Sequence, residues 1–502
     1  MHSVRVALAL ALALLCGFGP GDEAAPYVPP DFLAQPPQLP AGYDEAQALR
    51  LDLAEALTIA IKQNLGVSLA RKEVKAAELG VTAATAGMYE PTVSAGYTHT
   101  GADRSGAPAS DSVSVSATQQ LPTGAHLSFD ATATRGAGTR SSTLGFSLTQ
   151  PLFRGFSRDL AIPQYPILTA KLASEQERHQ LELSAANLIQ QTEGAYWDVV
   201  LALYSYQVTL ASKQRADDTV TLVRRQIAAG MTQSSDLIGA QNTYALREVA
   251  VLSAAQAVEQ SWDALRTVLN LPREQWDRPL LPTDRPRFAP GAVSSASEAF
   301  ETALHRRPEL AQAALDLEAS TLALRKADND GLPQIDLGLR GSVSRQDTGY
   351  PALAGDPSVR DPAGWSATVN LTWTPLGRAS KANREIARIQ HEVRTGNREL
   401  RVQAIWNEVR ASVRSQREAA LQVVAASESR KLAVQSLDIE TRKYRNGSST
   451  NLNVASLQTG LAGAELTELQ ALVGHERAAT AMLLSTGRLL EQRHIELQVG
   501  PR

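Results

Sequence analysis

Two hydrophobic periods alternate along this chain. Leu53, Ala56, Leu57, Ala60 and Ile61 recur at helical spacing, and that pattern runs to about Met88. Asp52 stands where a helix N-cap belongs, and Glu55 completes a capping box three residues on. Pro91 ends the helix. The period then falls to two. Val93, Ala95 and Tyr97 alternate with Ser and Thr, as do Val113 and Val115, Leu127 and Phe129, and Leu144, Phe146 and Leu148. Gly, Ser and Asp separate these runs, so the spacing predicts short strands joined by turns.

After Gln150-Pro151-Leu152-Phe153 the helical period returns and holds over residues 158–229. Some 72 residues at ~1.5 Å each would reach ~108 Å. Pro163 and Pro166 fall in its first turns and predict an irregular start. Gly230 punctuates, and a second helix is predicted over residues 232–269, ended by Asn270-Leu271-Pro272.

The same order then recurs. A helix over residues 299–328 starts at a Ser295/Glu298 capping box and is capped by Gly331. Pro333 opens a strand with Ile335, Leu337 and Leu339, and a second strand covers residues 369–373. Pro375-Leu376-Gly377-Arg378 mirrors Pro151-Leu152-Phe153-Arg154, and a long helix reaches Arg445. Gly447 punctuates, and a last helix runs to about Leu490. Gly230, Asp236, Leu237, Gln241 and Asn270 lie 217 residues before Gly447, Asn453, Val454, Gln458 and Gly487, so the return helices align without a gap. This register marks an internal duplication.

The expected organisation is a signal peptide at 1–25, a Pro-rich leader at 26–49 and a first repeat at 50–272 with its strand block at 91–150. A linker at 273–293, a second repeat at 294–490 with strands at 333–374, and a tail at 491–502 complete it. The first 25 residues carry Arg5, an apolar run from Val6 to Cys16 and the small pair Ala24-Ala25. Cys16 is the sole cysteine; it leaves with the signal or becomes a lipidated N-terminus, although Leu14-Leu15 stand where a lipoprotein signal carries small residues.

Composition narrows the function. The 502 residues carry a formal charge of −3 and only 5% aromatics, so no basic surface points to nucleic acid. No stretch after the signal reaches the ~18 apolar residues of a membrane helix, so membrane insertion would have to use strands. Two to four strands per half cannot close a barrel by themselves, and open edges are not tolerated in lipid. An oligomer sharing one barrel is therefore expected.

Enzyme chemistry is not expected. His475-Glu476 lacks the second His of a zinc-protease helix. Asp328-Asn329-Asp330-Gly331 has neither the spacing nor the closing Glu of a calcium loop, and reads as a helix end. No cofactor and no metal is expected. A rival reading, a periplasmic coiled-coil adaptor or scaffold without a channel, accounts for the helices but not for duplicated strand blocks closed by Pro-Leu.

The chain resembles the TolC family of outer-membrane factors from about residue 50 to 490. The residues that carry the resemblance are Leu53-Ala54-Glu55-Ala56-Leu57, Gln150-Pro151-Leu152-Phe153, Ala195-Tyr196-Trp197, Arg307-Pro308-Glu309-Leu310 and the Gly-centred tips, taken in their duplicated order. The resemblance implies a mainly helical fold with strands: a homotrimer in the outer membrane, whose long-helix hairpins form a periplasmic tunnel and whose subunits each give four strands to a twelve-stranded barrel. It implies export of substrate delivered by a periplasmic adaptor protein and an inner-membrane transporter.

It also implies adaptor contacts at Gly230, Met231, Thr232, Gly447, Ser448 and Thr450, and a gate lined by Asp236 and Tyr444. The family archetype has an Arg and two acids after the second tip, where this chain has Ser449, Asn453 and Ser456. The gate is thus expected to be less acidic. Residues 111–134 read as an additional hairpin that either joins the barrel or lies outside it.

Overall fold

The computed structural model describes residues 27, 29–101, 109–136, 139–230, 233–288, 294–347 and 363–497. The expected signal peptide with Cys16, and Met231 and Thr232 of the first tip, lie outside the described residues.

The elements run β1 (Leu49–Leu51), α1 (Leu53–Gln63), α2 (Leu65–Tyr89), β2 (Thr92–Thr100), β3 (Ser110–Gln120), β4 (His126–Gly136) and β5 (Thr139–Pro151). Then follow α3 (Tyr165–Ala228), α4 (Ser234–Leu269), β6 (Leu280–Pro282), α5 (Ala296–Arg306) and α6 (Pro308–Asp330). The chain continues through β7 (Gln334–Asp347), β8 (Ala363–Thr372), α7 (Arg378–Arg445) and α8 (Asn451–Ser485). No helix among the described residues is long and apolar enough to cross a membrane.

Several boundaries differ from the periodicity. The helix expected over 53–88 is two helices. Asn64 breaks it because its side chain accepts hydrogen bonds from the amides of Gly66 (2.8 Å) and Val67 (3.4 Å), a local cap that outcompetes helix continuation. The helix expected over 299–328 also divides, at Arg307-Pro308, because proline disfavours helical backbone in the residue before it and then opens a new helix. The long helix starts at Tyr165 rather than residue 158, directly before Pro166, where a missing N–H costs nothing. β8 begins at Ala363, earlier than residue 369.

The chain forms two compact units, and each draws on both sequence repeats. Of the described residues, the first takes those within 27–60, 190–295 and 411–482. Its centre holds Trp262, Tyr196, Tyr204, Leu203 and Leu469, all fully buried. A two-stranded parallel pairing of β1 with β6 ties the leader to the linker, Leu49 opposite Leu280. Tyr196 pins that junction: its hydroxyl donates to the carboxylate of Asp284 at 2.8 Å, and the same carboxylate accepts from the amide of Leu53 at 2.7 Å. Tyr27 donates to Glu468 (3.2 Å), a buried carboxylate also paired with Arg430.

The second unit takes the described residues within 61–189, 296–410 and 483–497. It contains a six-stranded antiparallel sheet in the order β2-β3-β4-β5-β7-β8. The expected extra hairpin is β3 and β4, and it lies inside this sheet, between β2 and β5. The register places Val113, Ala133 and Ser142 in one cross-strand row and Ala117, Phe129, Phe146, Gly341 and Trp365 in another. Opposed residues share a face, so one face gathers Val, Ala, Leu and Phe while the other gathers Ser and Thr. The apolar face is exposed: Tyr97, Val369 and Trp365 are 67%, 69% and 83% accessible.

Asn329 locks the sheet to its helices. Its amide donates to the carbonyls of Phe153 (3.2 Å) and Phe156 (3.1 Å), and its oxygen accepts from the amide of Gly155 (2.7 Å). Its neighbours Asp328 and Asp330 are engaged by Arg384 and Lys326. No cluster of metal-ligating residues occurs among the described residues.

Candidate gate at the helix tips

The candidate residues lie in the first compact unit, where α3 turns into α4 and α7 turns into α8. Both turns use a left-handed glycine, Gly230 at φ +72° and Gly447 at φ +74°. At the second turn the Ser448 amide reaches back to the Lys443 carbonyl (3.0 Å), and the Gly447 amide to Tyr444 (3.0 Å). This is a Schellman closure, which satisfies carbonyls at the helix end. The far ends of α4 and α8 close the same way. Asn270 at φ +50° and Gly487 at φ +71° hold equivalent positions there.

Tyr444 packs at the centre of the tip. It is 7% exposed and lies among Val220, Val223, Ala240 and Val454, with Leu237 and Tyr244 at the margin. Its hydroxyl donates to Gln226 Oε1 at 2.9 Å, which joins the last turn of α7 to that of α3. Burial, aided by the negative charge of Asp236, raises the Tyr444 phenol above its ordinary range. Asp236 sits in the first turn of α4, where a carboxylate complements the helix dipole. The tip therefore brings Asp236 and Tyr444 into one electrostatic neighbourhood.

A second cluster forms across the α7–α8 turn. The Ser449 hydroxyl donates to Glu440 Oε1 at 2.5 Å, and the Asn453 amide to Ser449 Oγ at 3.5 Å. The Thr450 hydroxyl accepts from the backbone N–H of Asn453 at 3.4 Å, as an N-cap of α8. Ser456 is exposed one turn further along α8. The centre of this cluster is Glu440, which sequence reasoning passed over. Its carboxyl is held below the ordinary range by the Ser449 hydrogen bond first, then by Lys443 and Asn453. The available signal was its position four residues before Tyr444, on the same helical face.

Away from the tips, α3 and α8 are tied by polar contacts. Gln458 donates to Thr219 (3.2 Å), and Arg215 pairs with Glu465 (3.2 Å). Burial raises the Glu465 carboxyl despite that partner. These groups bind helices to one another. Burial keeps the His475 imidazole below the ordinary range, and its ring lies edge-on to Phe288.

A family model described as outer membrane efflux protein matches residues 56–271 and 299–488, most of the chain. No curated protein matches the sequence. Among solved structures, the outer-membrane channel OprN superposes with a TM-score of 0.66 at 18% identity, covering 94% of this chain and 98% of that one. The CmeC outer membrane channel of Campylobacter jejuni gives 0.64 at 13% identity, covering 87% and 86% of the two chains. The MtrE outer membrane channel of Neisseria gonorrhoeae, solved in its open state, gives 0.65 at 17% identity, covering 92% and 98%. At these identities the likeness is one of fold.

Proposed function

The chain belongs to the outer membrane efflux protein family, and from that membership we propose that it works as a homotrimeric exit duct for substrate delivered by an inner-membrane transporter through a periplasmic adaptor. It is an outer-membrane protein that extends into the periplasm. The observation that carries the reading is the six-stranded sheet, whose exposed face is apolar and whose other face is hydroxylated. A sheet with one lipid face and one wet face is the wall of a water-filled barrel. A soluble adaptor or scaffold has no use for it.

Oligomer formation is supported from the helices as well. Ile386, Ile389, Val393 and Leu400 of α7 are each at least half exposed and follow the three-four spacing of a coiled-coil seam. Such a stripe is stable in water only when another helix covers it. Three copies around an axis cover it and close the sheet edges together.

The transport step is passive. The tips of α3–α4 and α7–α8 form the periplasmic entrance, with Asp236, Ser449, Asn453 and Ser456 at the constriction and Tyr444 packed behind them as the gate's support. Gly230, Met231, Thr232, Gly447, Ser448 and Thr450 offer the surface that an adaptor engages. Adaptor binding favours a dilated arrangement of the tips, and cargo then diffuses outward. The purified protein reconstituted in planar lipid bilayers tests the reading. Discrete ion-conducting openings from a trimer that resists detergent until heated support it; a detergent-soluble monomer without conductance rejects it.

A further inference from the structure

The six strands of the antiparallel sheet change the size of the proposed barrel. We propose that the hairpin β3–β4 is part of the transmembrane wall, so that three copies close a barrel of eighteen strands. This rests on the trimeric reading above. It departs from the twelve strands that the family resemblance implies.

Four observations place the hairpin in the wall. First, β3 and β4 are each 11 residues long, enough to cross a membrane, for which a tilted strand needs ~9–11 residues. Second, both are paired along their length on both sides, β3 to β2 and β4 to β5. Removing them from the wall would strip backbone partners from β2 and β5. Third, their faces match the neighbours without a break. Val115 lies opposite Ala95 and Ala131, and Ala131 lies opposite Leu144, while Ser114 lies opposite Gly96 and Thr132. An alternation that continues in phase across the sheet means that lipid and water meet the hairpin on the same sides as they meet β5. Fourth, Asp130 of β4 reaches over β5 at Gly145, where a Cβ would collide with its carboxylate, and faces Arg340 of β7 at 3.8 Å. The polar face is thus tied across three strands.

The turn between β3 and β4 is anchored too. Gly124 adopts φ +84°, and a Cβ there would lie 2.9 Å from the Gly155 carbonyl, so the turn packs on the β5–α3 connection. Thr123 donates to Gln150 of β5 at 2.9 Å, and Gln119 donates to the Tyr89 carbonyl at 3.0 Å.

The sheet leaves two open edges, β2 and β8. With an even number of antiparallel strands the two edges run in opposite senses, so β8 of one copy can pair antiparallel with β2 of the next. A second copy is the occupant that continues both the hydrogen-bond ladder and the apolar face, with Val93 on one edge and Val369 on the other. Strands ~4.8 Å apart and tilted ~40° give a backbone radius of about 12 Å for twelve strands and about 18 Å for eighteen. The added lining comes from Ser112, Ser114, Ser116, Ser128, Thr132 and Asp130, so the widened exit is mostly hydroxylated and carries one carboxylate that faces Arg340.

The test uses the full-length protein in proteoliposomes, with Cys16→Ser as background. Single cysteines are placed at Val115 and Ser114 of β3, and at Leu144 and Thr143 of β5, and labelled with bimane. Lipids brominated on their acyl chains should quench Val115→Cys and Leu144→Cys strongly. They should leave Ser114→Cys and Thr143→Cys bright but reactive to a charged aqueous thiol reagent before labelling. Quenching at Leu144→Cys with none at Val115→Cys overturns the eighteen-stranded wall and leaves the channel intact. Quenching at neither overturns the channel reading itself, and this proposal with it. Native mass spectrometry in detergent should give three copies; any other number overturns the strand total.

Discussion

The hydroxyl of Tyr444 donates to the side-chain oxygen of Gln226 at 2.9 Å, joining the last turns of two long helices that lie 218 residues apart in the chain. The bond closes over an apolar cluster of Val220, Val223, Ala240 and Val454, so packing and a half-buried polar contact act together there. Tyr444→Phe keeps the ring and removes the donor. It should loosen the tip by about 1 kcal/mol, leaving Gln226 to find water. In planar bilayers the variant should open more often than the wild type, with unchanged conductance per opening.

Asp236 contributes charge at the same place. In the proposed trimer three such carboxylates would approach one axis, and their mutual repulsion would weigh on the balance between closed and dilated tips. Asp236→Ala should reduce the cation preference of the open pore. An unchanged reversal potential in a salt gradient means that Asp236 does not line the constriction.

The Ser449 hydrogen bond to Glu440 leads to an expected pH dependence at the second tip. Its folded-state pKa lies below the ordinary carboxylate value of 4.5, through Ser449 first and then Lys443 and Asn453. A carboxylate depressed in the folded state contributes stability above its unfolded pKa and loses it as pH falls through the folded one. Closure of the α7–α8 turn should therefore be intact near neutral pH and weaken as the medium is acidified below about 4.5. Open probability should rise over that window in the wild type, whereas Glu440→Gln should show a flatter profile.

Arg307 holds the break between α5 and α6. It is 7% exposed, and its guanidinium contacts Glu408 through two nitrogens (2.9 and 2.5 Å), Glu309 (3.1 Å) and the Leu484 carbonyl (3.2 Å). Arg307→Ala leaves two carboxylates without their shared cation and should lower stability by roughly 2 kcal/mol. Arg307→Lys keeps the charge but not the fork, so it should rescue only part of the loss. The temperature at which the oligomer dissociates on a gel gives the ranking.

Gly447 and Gly487 separate two costs of replacing a glycine. Both adopt positive φ, but a Cβ meets nothing within 4 Å at Gly447, while at Gly487 it would lie 2.7 Å from the Arg306 carbonyl. Gly447→Ala should cost ~1–2 kcal/mol from backbone strain alone. Gly487→Ala should cost more, because a backbone carbonyl must also move. The loss in thermal stability should follow that order.

The alternation of helices and strands is written in the residue pattern. Leu144, Phe146 and Leu148 mark a two-sided strand because a period of two is a local property. Gly230 and Gly447 mark the tips because a left-handed turn strongly favours glycine. The 217-residue offset between Asn270 and Gly487 made the duplication visible, and both prove to be the left-handed residues that close equivalent helices. The Asn64 break needed only a local side-chain cap, but an asparagine inside a helical period does not announce whether it will use it.

Other features depend on partners far away in the chain. β5 pairs with β7 across the whole helical hairpin between them, and nothing in either strand specifies that neighbour. Whether residues 111–134 join the sheet was settled by hydrogen bonds that β2 and β5 supply. The two compact units draw segments from both repeats, a division that no local period specifies. Glu440 acquired its place through Ser449, beyond the end of its own helix. Periodicity records which face of an element is apolar; it does not record what covers that face.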